Sequence, residues 1–336
     1  MALSDAQLAE LYKSGHKYRR ELLAMPLAQL APILGHMTLR TGIRGKESVG
    51  ELETDAELAP YTSEKRATDN TSIELRELET YLGDVVKEFD PHVLSATVYG
   101  NEIARKPTET DIVRAVALRM AQRVSNNLAI NLFTASRNAS GKTTKDLFDG
   151  FITILDKDIT AGRIADANGN LADVGELTRA NIVDKLMEFY QDAACDELQD
   201  QQTKLFLPRN LYNLYHKGYQ DDFGSAPFNK EYKKTFLEGT DDRCELVPMS
   251  GMKGAGRIIL TIRDNMLVGV DQQSDSETVR IRECDNPKMA QFFMKLFFGV
   301  QLESISKQRL LAGKFTLPTP ATPPEQEPDP EQNPSS

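Results

Sequence analysis

The chain has no tryptophan, and its 336 residues include only three cysteines and four histidines. Cys195, Cys244 and Cys284 share no short spacing. That argues against a disulfide framework or a thiolate metal clip and for ordinary reduced thiols. His16, His36, His92 and His216 are dispersed and form no HxH or HxxxH pair, so no metal site and no catalytic base is marked by spacing. No apolar run approaches the roughly 20 residues that a membrane helix needs. The opening MALSDAQLAELYKSG lacks a charged stretch followed by an apolar one, so no signal peptide is expected and a cytosol is the expected place of synthesis. Excess positive charge is missing too. The net charge of −10 argues against a protein that grips nucleic acid over a broad surface. The basic stretch Arg105, Lys106, Arg114, Arg119 and Arg123 reads as a solvated helix face.

What is present is a hydrophobic fraction of 40%, enough for a real core, in a length that suits about two domains. Residues 1–70 read as irregular. Leu8, Leu11, Leu22, Leu23, Leu27 and Leu30 suggest short helical pieces, interrupted by Pro26 and Pro32. Residues 47–70 are polar, with little periodicity, and read as an extended arm. Residues 73–100 hold two β-prone runs around the turn dipeptide Asp90-Pro91, which predicts a long hairpin. Apolar groups on both of its faces suggest a role in assembly and not in subunit folding.

The spacing of Ile112, Val113, Val116, Ala117, Met120, Val124 and Leu128 predicts a helix from Pro107 to about Thr134, roughly 40 Å long at 1.5 Å per residue. Thr108 and Asp111 resemble a capping box at its start. KDLFDGFITIL (145–155) reads as a helical turn and a strand. Glu176 to Leu198 reads as one amphipathic helix, with Ile182, Leu186, Phe189, Ala193 and Ala194 as its stripe. Strands are predicted at Lys204–Leu207, Glu245–Val247, Ile258–Ile262, Met266–Val270, Thr278–Arg282 and Met289–Val300, with a Tyr-rich helix over Arg209–Tyr219. From Leu317 the chain is Pro-rich, acidic and free of aromatics, so a disordered, dispensable tail is expected.

Three motifs resemble ligand sites and each reads better as a loop. Ser140–Thr144 (SGKTT) ends like a phosphate-binding loop, but Ser136 stands where the first Gly is needed. SGMKGAG, with Gly251, Gly254 and Gly256, leads into a strand where a dinucleotide fingerprint opens a helix. Asp166, Asn168 and Asn170 alternate like calcium ligands, but Leu171 and Leu177 occupy the positions that need Gly and Glu. No catalytic, cofactor-binding or metal-ligating residue is therefore assigned, and no cofactor is expected.

The order of the pieces resembles the major capsid protein of tailed bacteriophages, whose shell fold is shared with encapsulins. The phrases that carry the resemblance are RELETYLGDVVKEFDPHVLSATVYG, PTETDIVRAVALRMAQRVSNNLAINLF, DLFDGFITIL, TKLFLPRNLYNLYHKGY, IILTIRDNMLVGVD and RECDNPKMAQFFMKLFFGVQL, over about residues 70–312. "NMLVGVD" and "FFMKLFFGVQ" are the most telling of them. The resemblance implies an α+β phage-capsid-type fold. It comprises an N-terminal arm (1–72), an E-loop hairpin (73–104), a peripheral domain with the spine helix (105–175 and 277–316), an axial domain (176–276) and the tail (317–336). It implies a structural subunit and not an enzyme, self-assembling as pentamers and hexamers into an icosahedral shell around double-stranded DNA. Portal and scaffolding or decoration proteins would be its partners, DNA would be touched weakly and non-specifically, and no membrane would be involved. The place would be the virion, assembled in a host cytoplasm. An encapsulin-like compartment enclosing an enzyme is the alternative, which the E-loop length and extended arm disfavour. A hydrolase with a spatially assembled site is the third reading.

Overall fold

The computed structural model of the chain describes residues 30–53, 60–61, 72–90, 109–223, 235–271, 279–283 and 289–318. In chain order its elements begin with β1 (Thr38–Thr41), β2 (Lys46–Glu53), β3 (Ser72–Glu79), β4 (Tyr81–Phe89), α1 (Glu109–Asn131) and α2 (Phe151–Thr160). There follow β5 (Leu171–Glu176), α3 (Ile182–Gln191), α4 (Asp196–Gln199), β6 (Thr203–Pro208), α5 (Arg209–Phe223) and β7 (Cys244–Met249). The last strands are β8 (Arg257–Ile262), β9 (Met266–Val270), β10 (Val279–Glu283), β11 (Ala290–Leu302) and β12 (Leu310–Thr316).

Two five-stranded sheets carry the body. The first runs β1-β9-β11-β10, with β4 also paired to β11. Phe298 of β11 pairs with both Val270 and Tyr81, so β9 and β4 occupy opposite flanks of the long strand. The second sheet runs β5-β12-β8-β6-β7. Its central strands are buried on both faces, which explains why TKLFLP and RIILTI are continuous apolar runs without alternation. Phe206 and Ile259 point into one core with Phe133, Phe151, Leu155, Val268 and Phe298. Leu205, Leu207, Ile258 and Leu260 point into another, under Leu186 and Phe189 of α3 and Leu211 and Tyr215 of α5. Each such side chain contributes about 1.5–3 kcal/mol by leaving water. Leu128 of α1 and the following Leu132 and Phe133 anchor the long helix in the first core.

The strands expected in the second half lie within a residue or two of the observed β6 to β11, and the Tyr-rich helix is α5. Four expectations on local structure need correction. The segment read as an arm contains β2, which pairs antiparallel with β3 from Lys46↔Glu79 to Glu53↔Ser72. The two-stranded hairpin of the described chain is therefore β2–β3, enclosing residues 54–71. β4 is not the limb of a free hairpin. It pairs along its whole length with β11, from Tyr81↔Phe298 to Phe89↔Ala290, and so belongs to the body. The expected second limb, 91–100, lies outside the described residues, as do the proposed cap at Pro107-Thr108, the N-terminal 29 residues and the tail from 319. FITIL is helical: Phe151, Ile152, Leu155 and Asp158 fall on one buried face, a period visible only over ten residues. The expected helix over 176–198 is three pieces. Leu177 still donates its N–H to Thr316 O beside the second sheet, and the Asn181 side chain accepts from Thr178 N, opening α3. The chain then breaks between α3 and α4. β12 sits between β5 and β8 in the second sheet.

Candidate assembly surface

The β2–β3 hairpin joins the body at a crossing made by two glycines. Gly269 of β9 and Gly299 of β11 are cross-strand partners. The Glu79-Thr80 junction passes over them. A Cβ on Gly299 would lie 2.0 Å from Glu79 O, and one on Gly269 would lie 2.8 Å from Thr80 Cγ2. Only glycine lets another backbone come that close to a sheet face. Thr80, itself buried, then ties both stems together. Its N–H donates to Gly45 O (2.7 Å), its hydroxyl donates to Ile43 O (3.0 Å) and accepts from Gly45 N (3.1 Å).

The inner face of the hairpin is half apolar and half ionic. Leu78 and Val49 pack on Ile43 and Leu267. Further out, the Arg76 guanidinium is 8% exposed and pairs with the buried Asp158 carboxylate of α2 at 2.7 Å. Arg76 Nε also donates to Leu302 O (2.9 Å), and Arg309 pairs with Glu51 at 2.5 Å. The outer face shows Leu75 at 68% exposure.

A second exposed apolar row lies on the first sheet. Leu82 and Val86 of β4 stand opposite Phe297 and Phe293 of β11, with the pair Asp84↔Lys295 between them. Leu82 and Val86 remain 48% and 44% exposed. Apolar side chains set in rows on a sheet face mark surfaces that meet partners. The other face of β4 packs inward, where Leu147 closes on Gly83.

The motifs singled out by sequence are loops committed to themselves. In SGKTT, the Thr143 amide donates to Asp146 Oδ2 (3.1 Å) and the Ser140 amide to Asn138 Oδ1 (3.1 Å). An acidic side chain thus occupies the place where amides would cradle a phosphate. The loop lines a cleft of about 390 Å³ against Val85 and Val124. Asn170 of the calcium-like triplet is buried and donates to Ile305 O, and Gly256 opens β8 with a positive φ of 62°. Among the described residues no group of three or more His, Cys, Asp or Glu could hold a metal. His36 lies 3.5 Å from Glu245, and burial lowers its pKa. His216 sits edge-on against Tyr212. Cys195 donates to Lys307 O. His16, His92 and Cys284 lie outside the described residues. No described helix is long and apolar enough to cross a membrane.

Alkali should reach two buried groups, Tyr215 and Cys244, and the partly buried Tyr81. Burial, then the hydrogen bond to Glu79, pushes the Tyr81 hydroxyl up to about 12. Burial pushes Tyr215 and the Cys244 thiol to about 12 as well. The unfolded groups titrate near 10 for Tyr and near 8.5 for Cys. A raised folded pKa means that the stabilisation is complete below the unfolded value and is lost as pH climbs toward the folded one. The melting temperature should therefore fall between about pH 9 and 12, and absorbance at 295 nm should resolve a late-titrating tyrosine class. A single class near pH 10 would contradict the burial.

No family model matches the chain, and no curated protein matches it. Solved structures do match. A chain of the satellite phage P4 procapsid, which includes the size determination protein, aligns at a TM-score of 0.58 and 11% identity, covering 89% of this chain and 91% of that one. The capsid of a native GTA particle aligns at 0.56 and 14% identity, over 85% and 90%. A chain from Gordonia phage Cozz aligns at 0.53 and 11% identity, over 86% of each. The chain has the tailed-phage capsid fold, the Hong Kong ninety-seven-like fold, in a mixed α+β architecture. At these identities the likeness is one of fold.

Proposed function

We propose that the chain is a structural shell subunit, the major capsid protein of a phage-type particle that encloses double-stranded DNA. The observation that carries this reading is the capsid fold running over most of the chain with a hairpin docked on its surface. In this reading β2–β3, with residues 54–71, is the E-loop, in place of residues 73–104. α1 is the spine helix. The first sheet with α1 and α2 is the peripheral unit, and the second sheet with α3 to α5 the axial unit. Copies of the chain join as pentamers and hexamers of an icosahedral shell, where closed symmetry repeats each modest contact many times. Portal and scaffolding or decoration proteins complete the particle, DNA is touched weakly, and the place is the virion. The reading assigns no catalytic residue and no cofactor.

Expression of the full chain, alone and with a co-expressed scaffold, followed by negative-stain microscopy, tests it. Closed shells or ring-shaped capsomers are expected, with nuclease-protected DNA inside particles from a productive host. A chain that stays monomeric at high concentration under both conditions overturns the shell reading. Shells filled with one enriched protein and no DNA overturn the phage reading in favour of a compartment.

A further inference from the structure

We infer that His36 is an acid-sensitive fastener: as a neutral ring it ties the turn at residues 30–37 to the second sheet, and taking up a proton loosens that turn. The device belongs to the single subunit and does not depend on what a shell encloses.

The turn is held from two sides. Leu30, Leu34 and Met37 are buried in the first core. Gly35, His36 and Met37 close the turn by donating their N–H groups to the Ala31, Ile33 and Leu34 carbonyls at 2.8, 3.1 and 3.0 Å. His36 then reaches the second sheet. Lys204 of β6 and Glu245 of β7 are cross-strand partners. They stand two residues before Phe206 and Val247, which enter the first core, so alternation along the strands puts all four on one face. At the rim of that face the imidazole Nδ1 lies 3.3 Å from Lys204 Nζ and 3.5 Å from Glu245 Oε1, and Lys204 and Glu245 are ion-paired with each other. The three side chains are between 16% and 29% exposed. Arg263, in the turn after β8, adds a second cation on this side, with its Nε donating to Met37 O at 3.3 Å.

This arrangement suits one protonation state. An ammonium only donates, so Nδ1 accepts from it and the ring proton sits on Nε2. That is the neutral imidazole. A protonated ring carries an N–H at Nδ1 as well and aims it at an ammonium with which it can form no bond. Its carboxylate partner is then Glu245, which Lys204 already engages. Burial opposes the charge most, Glu245 favours it, and Lys204 and Arg263 oppose it; the balance holds the His36 pKa below its ordinary value of 6.5. A lowered folded pKa means that the contact's stabilisation is complete above the unfolded value and is lost as pH falls through it. Protonation does not outweigh the three buried apolar anchors. It multiplies the fraction of time for which the turn is open.

Amide hydrogen exchange on the full-length chain at about pH 7.5 and about pH 5.5, on either side of the histidine range, tests this. Wild type, His36→Asn and Lys204→Met are compared at each pH, so that the intrinsic pH dependence of exchange cancels. The Asn side-chain oxygen stands near the place of Nδ1, accepts from Lys204 and does not titrate. Peptides covering residues 30–44 should exchange alike in wild type and His36→Asn at the higher pH. At the lower pH they should exchange at least about twofold faster in wild type, with β6 and β11 unchanged. In Lys204→Met a protonated ring meets Glu245 without the competing ammonium, so the acid response should be lost or reversed. The proposal is overturned if wild type and His36→Asn respond to acid equally, or if Lys204→Met keeps the full response. Should either variant exchange throughout like an unfolded chain, the wild-type His36 ring followed by NMR decides: a midpoint below 6.5 supports the fastener, and one at or above 6.5 overturns it. No readout requires a shell, so failure here is separate from failure to assemble.

Discussion

Gly299→Ala should destabilise the subunit by about 3 kcal/mol, at the top of the usual range for overpacking. The added carbon would sit 2.0 Å from Glu79 O, 2.9 Å from Glu79 C and 3.1 Å from Thr80 Cα. All three are backbone atoms, so no rotamer change relieves the clash. The junction cannot rise off the sheet either, because Thr80 is bonded to Gly45 and Ile43 on the neighbouring stem. At about 2–4 °C per kcal/mol for chains somewhat smaller than this one, the melting temperature should drop by about 6–12 °C. Gly269→Ala is the internal comparison. Its new carbon would meet Thr80 Cγ2 at 2.8 Å and Leu78 Cδ2 at 3.3 Å. Both are side-chain atoms: Leu78 can turn away, but Thr80 can do so only by giving up the hydroxyl's bonds to Ile43 and Gly45. About 2 kcal/mol is expected there. Calorimetry of the two variants decides the matter. If Gly299→Ala melts with the wild type, or no lower than Gly269→Ala, the crossing is looser than the structure shows.

That crossing illustrates which part of the protein was legible in the sequence. "NMLVGVD" and "FFMKLFFGVQ" stand out as phrases, and their apolar runs predict β9 and β11 correctly. Nothing local says that Gly269 and Gly299 are partners, or that residues 79–80 lie on top of them, since pairing of residues 30 apart is a tertiary fact. The same holds for the ion pair of Arg76 and Asp158, which are 82 residues apart. β2 escaped because its inward positions alternate Val49 with the charged Glu51, so a strand with an ionic face looks like a polar arm. β4 reads as a strand, but the turn dipeptide Asp90-Pro91 points to a local partner, whereas the actual partner, β11, lies some 200 residues away. Fully buried strands such as β6 and β8 were the easiest to read, because burial on both faces leaves an uninterrupted apolar run.

The last prediction separates folding from assembly by cutting the chain in two different places. Residues 50–75 lie beyond the cross-strand pair Val49↔Arg76, so a short Gly-Ser turn can close the ribbon there. This removes the exposed Leu75 and all of 54–71, while Leu78, Val49, Thr80 and the Arg76–Asp158 pair remain. The variant should melt cooperatively within a few degrees of the wild type and form no shells. Replacing Leu82–Leu94 in the same way should do the opposite. It deletes most of β4, a nine-residue strand paired along its full length with β11. It also uncovers Leu147, which packs on Gly83, and the inner face of β11, where Phe292 and Met294 are buried. Losing a strand's ladder and one wall of the core exceeds the roughly 5–15 kcal/mol by which a domain is stable. Insoluble or non-cooperatively melting protein is expected. Circular dichroism melts and negative-stain images of both variants are the measurement. Normal shells from the 50–75 variant would make the hairpin dispensable for assembly. A folded, soluble protein lacking 82–94 would mean that β4 is the detachable element and β2–β3 the structural one.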